Sequence, residues 1–222
     1  GRASLEKALE HDPEHTRANM MMAEIQLREK NLDQAKSHCQ TALDSSPADV
    51  RAHLLRGRIA MAEEDFEQAE QSFTKITELA PNNPLGYMQL AQLAMSREKH
   101  SRAMEHYKKV IDLNPQSTQA LRNIAVIHLL QKNPDQALAF CRKQIEKHKD
   151  NNRLRSFLLS TKAMVHLNLR QLDQAKEDYR QAMQAFPDWP TPYLQLAQIY
   201  SATGELDKAI QQFESVHEKQ PE

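Results

Sequence analysis

The side chains best able to carry chemistry are ten histidines, two cysteines and thirty carboxylates in 222 residues. His11 and His15 are four residues apart but flank Pro13, so they do not share a helical face as a pair of metal ligands would. Cys39 and Cys141 belong to no CxxC pair. Since zinc needs three or four clustered ligands, we expect no metal site and interpret the cysteines as small core residues.

Two further histidines, His128 and His166, hold equivalent positions on neighbouring predicted helices and could approach one another. No column of cysteines or carboxylates in the repeat accompanies them, which favours packing over metal binding. The sequence also has no GxxxxGK followed by Ser or Thr, no GxGxxG, no HExxH and no GxSxG. We therefore predict a protein that is not an enzyme and that uses no cofactor.

Composition excludes other classes of protein. Lys and Arg number 29 against 30 Asp and Glu, a net charge of −1, without the basic excess of an electrostatic nucleic-acid binder. A mean hydropathy of −0.74 and the lack of a long apolar run predict no transmembrane helix. Four glycines are few for phosphate-binding loops or a turn-rich β protein. The sequence carries no recognisable targeting segment, so localisation stays open.

The elements that position these residues follow a repeat. Six prolines mark its period: Pro13, Pro47, Pro81, Pro115, Pro187 and Pro221. Their spacing is 34 residues, except for a 72-residue interval that contains one step of 34 and one of 38. A fixed period of this size indicates a repeat array.

Small residues follow the same steps in two columns. These are Ala23, Gly57, Ala91, Ala125, Ala163 and Ala197, and then Ala35, Ala69, Ala103, Ala137, Ala175 and Ala209. Apolar residues three or four positions apart place one stripe on each of two helices per unit. Small side chains let two helices cross closely, and proline ends the second helix because it lacks the N–H.

This pattern resembles the tetratricopeptide repeat, and the resemblance covers essentially the whole chain. It is clearest at Tyr87, Leu90, Ala91, Ala103, Tyr107, Val110 and Pro115, and again at Tyr193, Leu196, Ala197, Tyr200, Gly204, Ala209, Phe213 and Pro221. It implies an all-α, helical-hairpin solenoid of about 13 helices, wound into a right-handed superhelix whose inner surface is lined by the first helix of each repeat.

The predicted domain organisation is one continuous array over residues 1–222. It comprises a half-repeat, 1–15, and six repeats, 16–49, 50–83, 84–117, 118–155, 156–189 and 190–222. The fourth repeat has Lys149 in place of the proline, Gln144 in an apolar column and four extra residues. Its polar run, 147–153, predicts a longer connection and leaves open a bend or hinge at this point; a longer second helix with unchanged stacking is the alternative.

No terminal capping helix is visible, and the first residues read as the inside of a helix. We therefore expect the chain to be a fragment of a longer protein, with apolar surface at its uncapped ends that would allow self-association.

Helical spacing identifies the inner-face residues of a predicted peptide-binding groove. They are Arg17, Met21, Arg28, Arg51, Leu55, Arg58, Met88, Gln89, Gln92, Arg122, Asn123 and Gln195. Arginine binds carboxylates through two-pronged hydrogen bonds, methionine adapts to apolar side chains, and amide side chains bond an extended backbone. These residues favour a peptide or helix with apolar anchors and some acidic residues. Alternatively, the arginines are solvated or pair with neighbouring glutamates.

Some tetratricopeptide repeat proteins share a carboxylate clamp, built from Lys, Asn and Arg, that binds the C-terminal tails of chaperones. At the matching positions of the first three repeats this sequence has Met20, Glu24, Leu55, Leu85 and Gln89. Repeats two to four give Leu54, Arg58, Gln89, Gln119 and Asn123. Neither set matches, so we predict no binding of an EEVD-like tail.

Three functions remain open. The first is a protein–protein interaction scaffold that binds a peptide or helical segment in its groove. The second is an assembly subunit whose repeats stack on copies of themselves or on another domain. The third is the substrate-presenting region of a larger enzyme or secretion component.

Overall fold

A computed structural model of the chain describes residues 1–219, so the proline expected at Pro221 lies outside the described residues. These residues form thirteen helices and no strand, which confirms the predicted all-α fold of helical hairpins. The helices are α1 (Arg2–His11), α2 (Thr16–Arg28), α3 (Leu32–Ser45), α4 (Val50–Ala62), α5 (Phe66–Leu79), α6 (Pro84–Ser96), α7 (His100–Leu113), α8 (Thr118–Leu130), α9 (Pro134–Lys147), α10 (Asn152–Asn168), α11 (Leu172–Ala185), α12 (Thr191–Ala202) and α13 (Leu206–Lys219).

The helices belong to two compact units, Gly1–Pro115 and Gln116–Glu222. In the first unit α1 precedes the hairpins α2–α3, α4–α5 and α6–α7. The second unit contains the hairpins α8–α9, α10–α11 and α12–α13. Within every hairpin the two helices pack against each other.

The two small-residue columns are the innermost positions of each unit. Ala35, Ala69, Ala103, Ala137 and Ala175 are fully buried, as is nearly the whole of the first-helix column. They lie in clusters with larger neighbours, such as Phe73, Ile76 and Leu90 in the first unit and Tyr179, Leu196 and Tyr200 in the second. The predicted role of these columns as close helix contacts is confirmed.

The prolines of the period mark turns whose carbonyls are held by the next helix. Asn19 Nδ2 donates to the Pro13 carbonyl at 2.7 Å. One repeat later His53 Nε2 donates to the Pro47 carbonyl at 2.8 Å. Because both helices begin at a fixed distance after the proline, these bonds set the angle at which the chain enters each first helix.

The turns inside the six described hairpins use left-handed backbone, and five of them do so without glycine. The residues concerned are Lys30, Glu64, Glu98, Lys132 and Arg170, with φ between 56° and 63°, and Gly204, with φ of 78°. A left-handed L-residue costs roughly 1–2 kcal/mol, which the helix packing on either side must offset. The low glycine content thus does not exclude positive-φ turns in this chain.

The second unit buries one polar cluster between α10 and α11. Asp178, 3% exposed, accepts hydrogen bonds from Lys162 Nζ at 2.7 Å and from His166 Nδ1 at 2.8 Å. A buried carboxylate is tolerated only with such partners. His166 is therefore held by a carboxylate of its own hairpin.

The expectation of a longer connection at residues 147–153 is wrong. α9 ends at Lys147 and α10 begins at Asn152, so the connection has four residues, the same number as between α7 and α8. Aligned on Ala125 and Ala163, α10 begins four residues earlier than α8, and the predicted boundary between 155 and 156 falls inside α10. Asn151 caps the added turn by accepting from the Leu154 N–H at 3.0 Å.

We predict that Gly57→Ala destabilises the protein although alanine is the better helix former. A Cβ at Gly57 would stand 2.2 Å from Cε1 of Phe73, a side chain that is 2% exposed. Overpacking costs about 1–3 kcal/mol, against a gain of about 1 kcal/mol in helix propensity. Urea unfolding measures the free-energy difference.

The matched background is Phe73→Leu, which removes Cε1 and Cζ, two of the three ring atoms that the new methyl group would meet. There the same Gly57→Ala change should be neutral or stabilising. Stabilisation by Gly57→Ala in the wild-type background would contradict the close approach of α4 and α5.

Candidate protein-binding surface

A cavity of about 330 Å³ lies between the neighbouring first helices α2 and α4 of the first unit. It is lined by Arg17, Met20, Met21, Glu24, Arg51, Leu54, Leu55 and Arg58. Of the twelve predicted groove residues the structure therefore brings together five here. Spacings of three and four along each helix place them on one side, and the crossing of the two helices brings the two rows together.

The floor of this cavity is apolar and is part of the hydrophobic core. Leu55 and Met20 are 3% and 8% exposed and belong to the hydrophobic core of the first two hairpins. Met21 is 44% exposed. Leu55 was predicted as a contact residue, and its burial means that it supports the cavity from below more than it projects from it.

The three arginines of this cavity differ in their surroundings. Arg51 Nη2 pairs with Asp49 Oδ2 at 3.1 Å, which raises the pKa of Arg51. Burial pushes the pKa of Asp49 upward, but hydrogen bonds from the Arg51 side chain and from the Arg51 and Ala52 N–H groups outweigh it, so this pKa is lowered. Arg51 is therefore already partly neutralised.

Arg17 and Arg58 are exposed, and neither forms an ion pair or hydrogen bond within residues 1–219. Glu24, also at the cavity, likewise has no such partner among these residues. Two free guanidinium groups beside an apolar floor can bind carboxylates that flank an apolar side chain. The alternative that the arginines pair with neighbouring acidic residues applies to Arg51.

Four other predicted residues of the first unit do not line this cavity. Arg28 is exposed in the last turn of α2. Met88, Gln89 and Gln92 are half-buried on α6. These residues lie on the first helices α2 and α6, as predicted. They do not line the cavity between α2 and α4.

In the second unit Arg122 and Gln195 line a cavity of about 280 Å³, together with Ser160, Thr161, Met164, Tyr179, Trp189 and Thr191. Asn123, the remaining predicted residue, is half-buried on α8 and does not line it. The cavity adjoins an aromatic stack: the rings of Phe157 and Trp189 are 6.1 Å apart and inclined by 26°. The Arg122 guanidinium lies 5.0 Å from the centroid of Phe157.

The sequence analysis did not place Trp189 at the surface that binds partners. Helical spacing does not identify Trp189, because this residue lies in the connection between α11 and α12 and not in a helix. The composition could have indicated it, since it is the single tryptophan of the chain and tryptophan is enriched at binding hot spots.

Other chemistry does not converge anywhere in residues 1–219. No group of three or more His, Cys, Asp or Glu in this range could hold a metal ion. Both cysteines are free and buried, and burial raises the pKa of the Cys39 thiol to about 11 and that of Cys141 to about 12. Within the same residues no helix is long and apolar enough to cross a membrane.

Comparison with known families finds two matches. Residues 39–155 match the model of the cytochrome c-type biogenesis protein H TPR domain. Residues 2–59 and 167–222 match a tetratricopeptide repeat model. No curated protein matches the sequence.

Solved structures of low sequence identity share the fold. Yeast Tom70 aligns over 100% of this chain and 46% of its own, with a TM-score of 0.68 and 21% identity. The APC/C hetero-tetramer Cut9–Hcn1 aligns over 100% and 44%, at 0.59 and 14%. YrrB, described as a TPR protein with an unusual peptide-binding site, aligns over 85% and 95%, at 0.56 and 17%. This chain thus spans less than half the length of two of these proteins.

Proposed function

This chain belongs to the tetratricopeptide repeat family, and from that premise we propose that it is a protein–protein interaction scaffold. Tetratricopeptide repeats commonly mediate contacts between proteins, and the structural neighbours include a hetero-tetramer and a peptide-binding protein. The proposed ligand is a peptide or helical segment of a partner, held against the first helices. A binding role, without catalysis, fits the chemistry of the surface.

One observation carries the proposal: Arg17 and Arg58 stand unpaired at the rim of a cavity whose floor is formed by Met20, Leu54 and Leu55. An apolar side chain of the ligand would enter between α2 and α4. Carboxylates on either side of it would accept hydrogen bonds from the guanidinium groups, which are pre-shaped for two-pronged binding.

The position of Glu24 adds a selectivity rule. It lies at the same cavity, so a carboxylate placed against it would be repelled, whereas a ligand amide or cation would be accepted. The proposed ligand therefore carries acidic residues at two positions and not along its whole length. This also distinguishes it from an EEVD-like chaperone tail, for which the clamp residues are lacking.

The test is the double substitution Arg17→Glu plus Arg58→Glu. Peptides are first selected from a random displayed library with the wild-type chain, and their Kd values are then measured against both proteins. We expect selected peptides rich in Asp or Glu next to Leu or Met. Each lost charge-assisted hydrogen bond is worth roughly 1.5–3 kcal/mol, so the variant should bind at least about tenfold more weakly.

The matched control is Arg142→Glu plus Lys143→Glu, which makes the same change in net charge at exposed positions on α9. It should leave the affinities unchanged. Selected peptides without acidic enrichment, or equal affinities for the groove variant and wild type, would refute the proposed binding mode.

A second function, self-association, is favoured by the apolar face of α13. Leu206, Ile210 and Phe213 are 62%, 54% and 47% exposed. At the positions equivalent to Phe213, Tyr107, Cys141 and Tyr179 are buried. The proposed occupant is the same face of a second copy, because residues spaced four and three apart meet their own symmetry mates when two such helices cross about a two-fold axis.

Light scattering at increasing protein concentration tests self-association. We expect the wild-type mass to rise from monomer toward dimer and Phe213→Glu to stay monomeric, since a charge would be buried in the contact. Gln211→Glu, the same added charge at an exposed polar position of α13, should behave as wild type. A wild-type chain that stays monomeric throughout would exclude this function.

A further inference from the structure

The four residues that interrupt the 34-residue period build a cavity in the second unit. It has a volume of about 350 Å³ and lies beside the N-terminal ends of α8 and α10 and beside Trp189, in the connection that precedes α12. Asn151, Arg153 and Leu154, at the beginning of α10, form one wall. Gln116 and Trp189 face them, and Phe157 completes the lining on the next turn of α10.

The added turn of α10 is held in place, so the cavity is preformed. The Asn151 side chain accepts from the Leu154 N–H at 3.0 Å and donates to Gln116 Oε1 at 3.4 Å. Leu154 is 4% exposed and anchors the turn in the core. Among the described first helices only α10 has this added turn, so the wall that it contributes has no equivalent in the other hairpins.

One side of the cavity presents aromatic surface that is already partly desolvated. Phe157 and Trp189 are half-buried and stacked, with ring centroids 6.1 Å apart. Arg122 covers Phe157 at 5.0 Å, an arrangement that holds the ring and leaves guanidinium N–H groups at its edge for a ligand. Clustered Trp, Phe and Arg side chains are the composition of energetic hot spots at protein interfaces.

Two arginines at the cavity have no acidic partner bound to them. Arg153 lines it, and Arg122 lies beside it; both are exposed and form no ion pair within residues 1–219. Their guanidinium groups are therefore free to bind a carboxylate of a ligand. A volume of about 350 Å³ is near the lower end of ligand pockets, roughly 300–1,000 Å³, and accommodates one large side chain.

We propose that this cavity is a second peptide-binding site, which takes an aromatic side chain from an acidic segment of a partner protein. The aromatic ring stacks on Trp189. Carboxylates on neighbouring residues of the segment accept hydrogen bonds from Arg153 and Arg122. The site acts independently of the α2–α4 cavity, since it shares no residue with it.

Single-stranded nucleic acid is the competing ligand, because bases also stack on tryptophan and arginine. It requires, in addition, a basic groove that follows the phosphate backbone. The chain has a net charge of −1 and no basic excess that would form such a groove, which favours the peptide.

The test uses the single tryptophan as its reporter. The probe is a fluorescein-labelled peptide, Gly-Glu-Asp-Glu-Phe-Glu-Asp-Glu-Gly, followed by anisotropy of the label; the unlabelled peptide is followed by Trp189 emission. Three companion probes replace Phe by Ala, replace every acidic residue by Lys, or are an oligothymidylate of eight nucleotides. We expect binding of the acidic Phe peptide alone, with a change in Trp189 emission.

Two variants locate the site. Arg153→Ala, at an exposed position, should weaken binding about tenfold or more, the equivalent of one lost charge-assisted hydrogen bond. Arg142→Ala, an exposed arginine of α9, should have no effect. The double variant Arg17→Glu plus Arg58→Glu should bind the probe as wild type does, which separates this site from the scaffold function proposed above. Far-UV circular dichroism verifies that each variant is folded.

Several results would overturn the proposal: equal binding of the Ala or Lys peptide, binding of the oligonucleotide in place of the acidic peptide, unchanged affinity of Arg153→Ala, or no binding of any probe. Loss of binding in the Arg17→Glu plus Arg58→Glu variant would place the peptide in the first unit and would also overturn it.

Discussion

Close contact between helices at alanine is the constraint on which the rest of this structure depends. Each hairpin brings two helices together where one column contributes Ala35, Ala69, Ala103, Ala137 or Ala175, all fully buried. A larger side chain there would hold the two backbones further apart. The larger core residues on either side fill the space between the two helices. Their packing therefore also depends on the distance between the helices that the alanines allow.

The same constraint creates the surfaces that can bind a partner. The second helix of a hairpin packs against the first helix of the next hairpin, as α3 does against α4. The first helices α2 and α4 are also neighbours, and their side chains form the walls of a cavity. In the first unit this joins free arginines to an apolar floor that is part of the core itself. Because Met20 and Leu55 are already packed in the core without a ligand, little of the binding energy is spent on ordering this floor.

The four-residue insertion in the fourth repeat lengthens a helix and not the connection in which it was expected. Four added residues lengthen α10 at its beginning and leave the preceding connection at four residues. A helix accepts an added turn at its end because the new residues keep their own hydrogen bonds and a cap, whereas the core contacts at Ala163 and Val165 stay where they were. The insertion therefore changes the surface and preserves the packing.

Much of this protein was determined by its sequence alone. The proline period, the alanine columns and their apolar neighbours predicted about thirteen helices and their pairing. They could do so because each helix contact requires small residues at the same positions of every repeat. Helical spacing also chose Arg17, Met21, Arg51, Leu55 and Arg58 as neighbours, which they are. Only the tertiary structure decided which of these arginines is already paired, that Leu55 is a floor, and that Trp189 stacks on Phe157. Those features depend on distances between side chains from different helices and connections, and such distances cannot be predicted from the periodicity of the sequence.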